Sequence, residues 1–526
     1  KPIYLDSSFS DTERVEDLLS RMTIEEKVAQ MCQYVGLNYL KSENESSLTQ
    51  EILNSDSKAS YKGFLKKDIA QMVVDGKIGS FLHVLQAKES NLLQELALKS
   101  RLKIPLIIGI DAIHGNGMVK GTTVYPSPIS ISASFTDSLS YKVGIQTAKE
   151  VRAAGSHWAF TPNIDVLRDP RWGRVGETFG EDPLLVSNMG VSMIKGLQET
   201  NKVIACAKHF IAGSEPINGL NSSPMDISER NLREIYLKPF KKAVEAGVYS
   251  IMTAHNELNG VPCHMNKYLM KDILRDEFEF KGFIVSDWMD IERIHTLHKT
   301  AENIKEASFL SVDAGMDMHM HGPYFLEYIV ELVNENRISE ERIDESARKI
   351  LLAKFKLGLF EDPFIDLAEV DENIFTKEHQ NTSLEIARKS IVLLQNNQGI
   401  LPLKKLKKTR ILVTGPNANN HSILGDWTKP QPKENVITVF EGIKSIASKK
   451  GFQVDFHDSN SDILNITASD ISSTVEVAQD YDYVFVVVGD NSLRHLKKKK
   501  TAGENMARAN INLAGNQLNL VKSLNK

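Results

Sequence analysis

The chain is poor in cysteine. Three residues, Cys32, Cys206 and Cys263, serve 526 positions, too few and too odd in number for a disulfide framework, and no pair has metal-ligand spacing. They read as small buried apolar residues. No run approaches the roughly 18–20 apolar residues that cross a bilayer, so no membrane span is expected. The chain starts at Lys1 with neither Met nor an apolar leader, as a mature or trimmed product would. Basic charge is not in excess: 63 Lys and Arg face 68 Asp and Glu, a net charge of −5. Nucleic acid is therefore not the expected partner. With 41% hydrophobic and 25% charged residues, fibrous and disordered classes are also excluded. What remains is a globular protein long enough for a barrel of about 250 residues plus a second domain.

From about residue 77 to residue 320 one pattern repeats: a short apolar run, a polar residue at its end, then an amphipathic stretch. The runs are Ile78–Val84, Ile104–Asp111, Trp158–Asp165, Val203–Phe210, Val248–Asn256, Phe283–Trp288 and Gly315–Met320, with a weaker one at Val28–Val35. Between them, Leu232, Ile235, Tyr236, Phe240 and Val244 fall on one helical face. Continuous apolar runs suit parallel strands covered on both faces by helices. Seven or eight such units predict a (β/α)8 barrel, and an open doubly wound sheet is the alternative. In a barrel the strand ends converge, bringing Asp111, Asp165, Lys208, His209, His255 and Asp287 to one rim, with His114 near it.

After residue 355 the pattern changes. The expected division is a barrel domain with an N-terminal arm over 1–358, a linker over 359–385, and an α/β sandwich domain over 386–526, C-terminally incomplete. Strands are expected at Ser390–Gln395, Arg410–Gly415, Gln453–His457 and Tyr483–Gly489, and helices at Val439–Ser448 and Asn516–Leu524. The lysine runs Lys404–Lys408 and Lys497–Lys500 read as solvated loops.

Four motifs carry chemistry. In Gly282–Trp288 a strand ends in a carboxylate followed by an indole, a pairing that suits attack on an anomeric carbon while the sugar's C–H face stacks on the ring. Asp287 would otherwise be a helix cap. Lys208 beside His209 is an ion-pair partner, a hydroxyl-binding donor or a Schiff-base nucleophile. The cluster from Arg168 to Asp182 is either an ion-pair scaffold or the source of one inward arginine. Asp111 can accept hydrogen bonds from two hydroxyls at once.

In these motifs the sequence resembles glycoside hydrolase family 3, in particular its β-glucosidase branch. The likeness begins at Arg14–Leu19 and Met22–Lys27. It runs through Asp111, Arg168–Arg174, Lys208–His209 and Ser286–Trp288, and ends in Ser390–Gln395, Leu401–Leu403 and Gly415–Ala418. The resemblance implies a TIM-like barrel followed by an α/β sandwich, with retaining hydrolysis of terminal β-D-glucosyl residues from oligosaccharides or glucosides between them. It makes Asp287 the nucleophile. It assigns Asp111, Arg174, Lys208 and His209 to the glycone, with Met252 and Trp288 as walls. His255 stands where that branch usually has Tyr. The general acid/base would come from the second domain, Glu504 being preferred to Asp490, with a pKa raised by a water-poor cleft. Trp427 is an aglycone platform or a core residue. Two-carboxylate chemistry calls for no cofactor or metal, and the likeness implies a periplasmic or secreted enzyme. The rival readings are a β-xylosidase, a Schiff-base lyase acting through Lys208, and a non-catalytic glycan-binding protein. An N-acetylglucosaminidase is disfavoured, because residues 211–219 contain no His to act as its acid.

Overall fold

A computed structural model describes residues 2–40, 47–404 and 408–526. Eight parallel strands form one sheet: β1 (Cys32–Val35), β2 (Ser80–Leu82), β3 (Ile107–Ile110), β4 (Trp158–Ala159), β5 (Ile204–Phe210), β6 (Ser250–Thr253), β7 (Phe283–Val285) and β8 (His319–Met320). Each pairs with the next in chain order from β1 to β7, and β8 returns to β1 with Cys32 opposite His319. Closure comes from β7 and β8, where the Met318 N–H donates to Ile284 O at 3.0 Å and the Ser286 N–H to Met318 O at 2.9 Å. The sheet is thus a barrel rather than an open doubly wound sheet.

The strands are buried along their length, which explains why they read as unbroken apolar runs. Trp158 packs edge-on against Phe160 and Phe283, at 4.8 and 4.9 Å between ring centres. Gly109 on β3 makes room for this cluster, since a Cβ there would overlap the Phe160 ring. The arm begins with a helix over Asp11–Arg21, capped by reciprocal Ser10 and Glu13 bonds. Its buried Leu18 and Leu19 join Leu351 and Phe355 of the helix Glu340–Lys356. Below the barrel, buried Asp317 accepts from Arg275 Nη2 at 2.6 Å, from the Ser346 hydroxyl at 2.7 Å and from the Ile284 N–H at 2.9 Å. It thereby ties two outer helices to β7. The weak run Val28–Val35 divides into the end of a helix over Ile24–Gln30 and strand β1.

The segment 359–385 is anchored to the barrel. Asn91 exchanges two 2.8 Å hydrogen bonds with the Ile365 backbone, and His379, in the helix Lys377–Ser390, meets Glu150 at 2.7 Å. Beyond it, three parallel strands form a second sheet, β9 (Arg410–Thr414), β10 (Gln453–Phe456) and β11 (Tyr483–Val486), in the order β10-β9-β11. Helices lie at Val439–Lys449, Ala468–Ala478 and Gln517–Leu524. The expected strand Ser390–Gln395 is not one. Ser390 ends the preceding helix, Ile391–Leu394 are exposed, and no strand pairs with them among the described residues. Residues 405–407 of the first lysine run lie outside the described residues. In the second run Lys500 is not solvated: it is buried, 3.4 Å from Asp426.

Candidate active site

The C-terminal strand ends and the second domain enclose a cavity of about 270 Å³, lined by Asp111, Arg174, Lys208, His209, Met252, His255, Asp287, Trp288 and Glu504 among others. Every residue expected to act on the substrate, Asp490 excepted, therefore reaches one cavity. Asp111, just past β3, accepts from Lys208 Nζ at 2.6 Å and from His83 Nε2 at 2.9 Å. Burial favours its neutral form, but Lys208 and His83 outweigh it and hold the carboxyl well below its usual range. Arg174 forms a double hydrogen bond with Glu177, at 2.9 and 2.8 Å, and donates to His209 Nε2 at 3.1 Å. His209 in turn donates from Nδ1 to Asp165 at 2.8 Å. Burial together with Arg174 and Lys208 keeps this imidazole neutral. Asp165 lies behind His209 rather than on the cavity wall, and burial raises its carboxyl to about 6.

Asp287 is held at two points. Its N–H donates to His264 Nε2 at 2.9 Å, and its Oδ1 accepts from the Trp288 N–H at 2.7 Å. Its Oδ2 is buried without a hydrogen-bond partner, although His255 Nε2 lies 3.1 Å away and His209 Nε2 3.7 Å. The unpartnered oxygen is the one with free lone pairs for an incoming electrophile. His255 also donates from Nδ1 to buried Asp290 at 2.6 Å. Trp288 lines the wall, stacked on His83 with ring centres 6.0 Å apart.

Glu504 enters from the second domain. Its Oε2 accepts from Arg494 Nη2 at 2.6 Å, while Arg174 Nη1 and His255 Nε2 lie 3.6 and 3.7 Å from Oε1. The loop is clamped to the barrel by two backbone bonds, from the Gly503 N–H to Gly173 O at 2.7 Å and from the Arg508 N–H to Arg171 O at 3.1 Å. A Cβ on Gly173 would overlap the Gly503 and Met506 carbonyl oxygens, so only glycine admits this approach. The expected raised pKa is not found. Burial pushes in that direction, but Arg174, His255 and Arg494 hold the Glu504 carboxyl well below its usual range. The carboxyl is buried, as expected, but among cations.

Asp490 stands elsewhere. Arg508 Nη1 and the Thr501 hydroxyl hold it at 2.6 and 2.9 Å, and it lines a neighbouring cavity shared with His114. His114 bridges the Tyr125 and Asp426 carbonyls, at 2.7 and 2.8 Å, instead of facing the site. Trp427 is mostly buried and does line the site, with the Arg494 guanidinium 3.6 Å above its ring. The three cysteines are free and buried. Among the described residues one group, His255, Asp287 and Asp290, has donor atoms close enough for a metal, within 4.8 Å of one another. The two carboxylates approach opposite nitrogens of the His255 ring, which is the arrangement of an ion-pair chain rather than of ligands around one ion.

Sequence reasoning missed His83, Asp290, His264 and Arg494. His83 is the first residue past the strand Ser80–Leu82, near the end of the run Ile78–Val84, so the strand-end rule applied to the other runs finds it. Asp290 lies one helical turn past Asp287. His264 and Arg494 carry no local signal.

Two family models match the chain, described as "Glycosyl hydrolase family 3 N terminal domain" over residues 23–353 and "Glycosyl hydrolase family 3 C-terminal domain" over residues 391–526. A protein named "Beta-xylosidase" from Formosa agariphila is 38% identical over 86% of this chain and 65% of its own length. The "Periplasmic beta-glucosidase" of Salmonella typhimurium is 31% identical over 97% of this chain and 66% of its own. The chain therefore spans about two thirds of these relatives. The crystal structure of a β-glucosidase from Listeria innocua in complex with glucose superimposes with a TM-score of 0.84 at 32% identity, covering 98% of this chain and 68% of that one.

Proposed function

The chain belongs to glycosyl hydrolase family 3, and from that membership we propose that it is a retaining, exo-acting β-glucosidase. It removes terminal non-reducing β-D-glucosyl residues from oligosaccharides or glucosides through a covalent glycosyl-enzyme. The observation that carries the reading is the buried, unpartnered Oδ2 of Asp287 with Glu504 close by. Both carboxylates lie near His255 Nε2, at 3.1 and 3.7 Å. Their facing oxygens are therefore less than about 7 Å apart, compatible with the roughly 5–5.5 Å carboxyl separation of retaining enzymes and short for most inverting ones.

Asp287 Oδ2 attacks the anomeric carbon while Glu504 protonates the departing oxygen; water then cleaves the ester with Glu504 as base. The cations around Glu504 favour its base form, which suits the second step. For the first step the carboxyl must hold a proton. A neutral sugar seated against Glu504 parts it from Arg174 and displaces water, and both changes raise its pKa. Asp111, Lys208, His209 and Arg174 present acceptors and donors to the glycone hydroxyls, Met252 and Trp288 wall the ring, and His255 faces the reacting bond. Likeness to the Salmonella enzyme supports a periplasmic location.

The test is Glu504→Ala with sodium azide. Activity on an aryl β-glucoside is lost and partly restored, giving β-glucosyl azide; an α-azide product, or rescue in Asp490→Ala instead, overturns the assignment. Likeness to the Formosa protein favours xylose as the second reading, and kcat/KM on paired aryl β-glucoside and β-xyloside substrates decides between the sugars.

A further inference from the structure

His255 has carboxylates on both sides. Nδ1 is bound to Asp290 Oδ2 at 2.6 Å, and Asp290 is fixed on its other oxygen by Arg293 Nη1 at 2.7 Å, with His264 Nε2 at 3.6 Å. Nε2 faces two carboxylates, Asp287 Oδ2 at 3.1 Å and Glu504 Oε1 at 3.7 Å. The first contact lacks the alignment of a hydrogen bond, since Asp287 Oδ2 has no such partner. One donor thus sits between two acceptors, committed to neither. The His209 ring lies stacked on it, 6.1 Å away; Arg174 lies 3.6 Å from the same Glu504 oxygen, and Arg494 holds the other at 2.6 Å.

We propose that Asp290 and His255 form a positioning dyad whose single Nε2–H serves the two catalytic carboxylates in turn, facing Asp287 in the free enzyme and Glu504 once Asp287 carries the sugar. The proposal rests on the glucosidase reading. In the free site the ring offsets two neighbouring negative charges. When Asp287 becomes an ester its charge is gone, and the same N–H turns to the remaining anion, the carboxylate that must act as base. Asp290 is needed because a neutral imidazole would present a lone pair to one of its carboxylate neighbours. In agreement, burial opposes the charge on His255, but Asp287, Asp290 and Glu504 outweigh it and push its pKa up to about 10.

The experiment uses the whole 526-residue chain and a 2-deoxy-2-fluoroglucosyl fluoride, which traps the intermediate. Reactivation of the trapped enzyme in buffer reads the second step alone. We expect the wild type to be labelled on Asp287. In Asp290→Asn the alkaline fall of reactivation moves down by at least one pH unit, because His255 then loses its proton sooner. His255→Phe slows reactivation at least tenfold at pH 7, and His255→Tyr, which keeps one uncharged donor, recovers part of that loss and keeps the proposal testable if the Phe variant does not fold. Reactivation at the wild-type rate with an unmoved pH profile in Asp290→Asn and His255→Tyr overturns the dyad. A wild type that is never labelled on Asp287 overturns the glucosidase reading beneath it.

Discussion

Asp111 has both oxygens occupied in the free protein, by Lys208 and His83, so a sugar hydroxyl enters a network already formed. Asp111→Asn leaves Lys208 facing an amide in a buried site, and kcat/KM on an aryl glucoside should fall about 10²–10³-fold, in line with the cost of stranding a buried charge partner. The same networks set the response of stability to acid. Asp111 and Glu504 both have depressed folded-state pKa values. Their contribution is complete above the unfolded carboxylate pKa of about 4 and is lost as pH falls below it. His255 has the opposite sign: its contribution is complete below about 6.5 and is lost as pH rises through about 10. The melting temperature should therefore drop as pH falls below about 4, and Glu504→Gln should flatten that drop. At this scale the sequence was legible where chemistry sits at a strand end, as for Asp287, Lys208 and Asp111. It was silent where a side chain acts through space, as for Arg494 on Glu504.

Between elements, small residues and buried charges set the spacing. Gly173 lets the loop carrying Glu504 lie against the arginine loop. Gly173→Ala must push the two apart, and it should lower kcat by at least about tenfold through loss of acid/base alignment with little change in glucose affinity, measured by kinetics and titration calorimetry. Asp317, below the barrel, is enclosed by Arg275, Arg342 and Lys349 at 2.6, 3.3 and 3.6 Å. Asp317→Ala takes from Arg275 its carboxylate partner and leaves Arg342 and Lys349 only the half-exposed Glu345, and denaturant unfolding should show a loss of about 3–5 kcal/mol. The barrel strands were readable because residues buried on both faces must be apolar in succession. The segment Ser390–Gln395 looks the same in composition, but composition cannot supply the neighbour whose backbone completes a strand.

Across the whole molecule the site is shared unequally. The barrel supplies Asp111, Arg174, Lys208, His209 and Asp287 to the cavity; the second domain supplies Glu504, Arg494 and Trp427. Of the residues beyond 386, Trp427 alone joins the barrel's central apolar cluster among the described residues. A chain ending at residue 390 should accordingly remain folded by circular dichroism yet lose turnover of an unactivated disaccharide by about 10³-fold or more, since no acid protonates the leaving group. A truncated chain that keeps full activity would place the acid within the barrel. The sequence by itself determined the barrel, the family and the place of Asp287 at a strand end, because each rests on contiguous residues: a strand, its end, and a motif in register. Tertiary structure decided the rest. It chose Glu504 over Asp490 as the carboxylate facing Asp287, paired His255 with Asp290, and reversed the expected direction of the Glu504 pKa. These outcomes depend on distances across the cleft, where a few ångströms fix whether a charge is felt, and no local run of residues encodes such a distance.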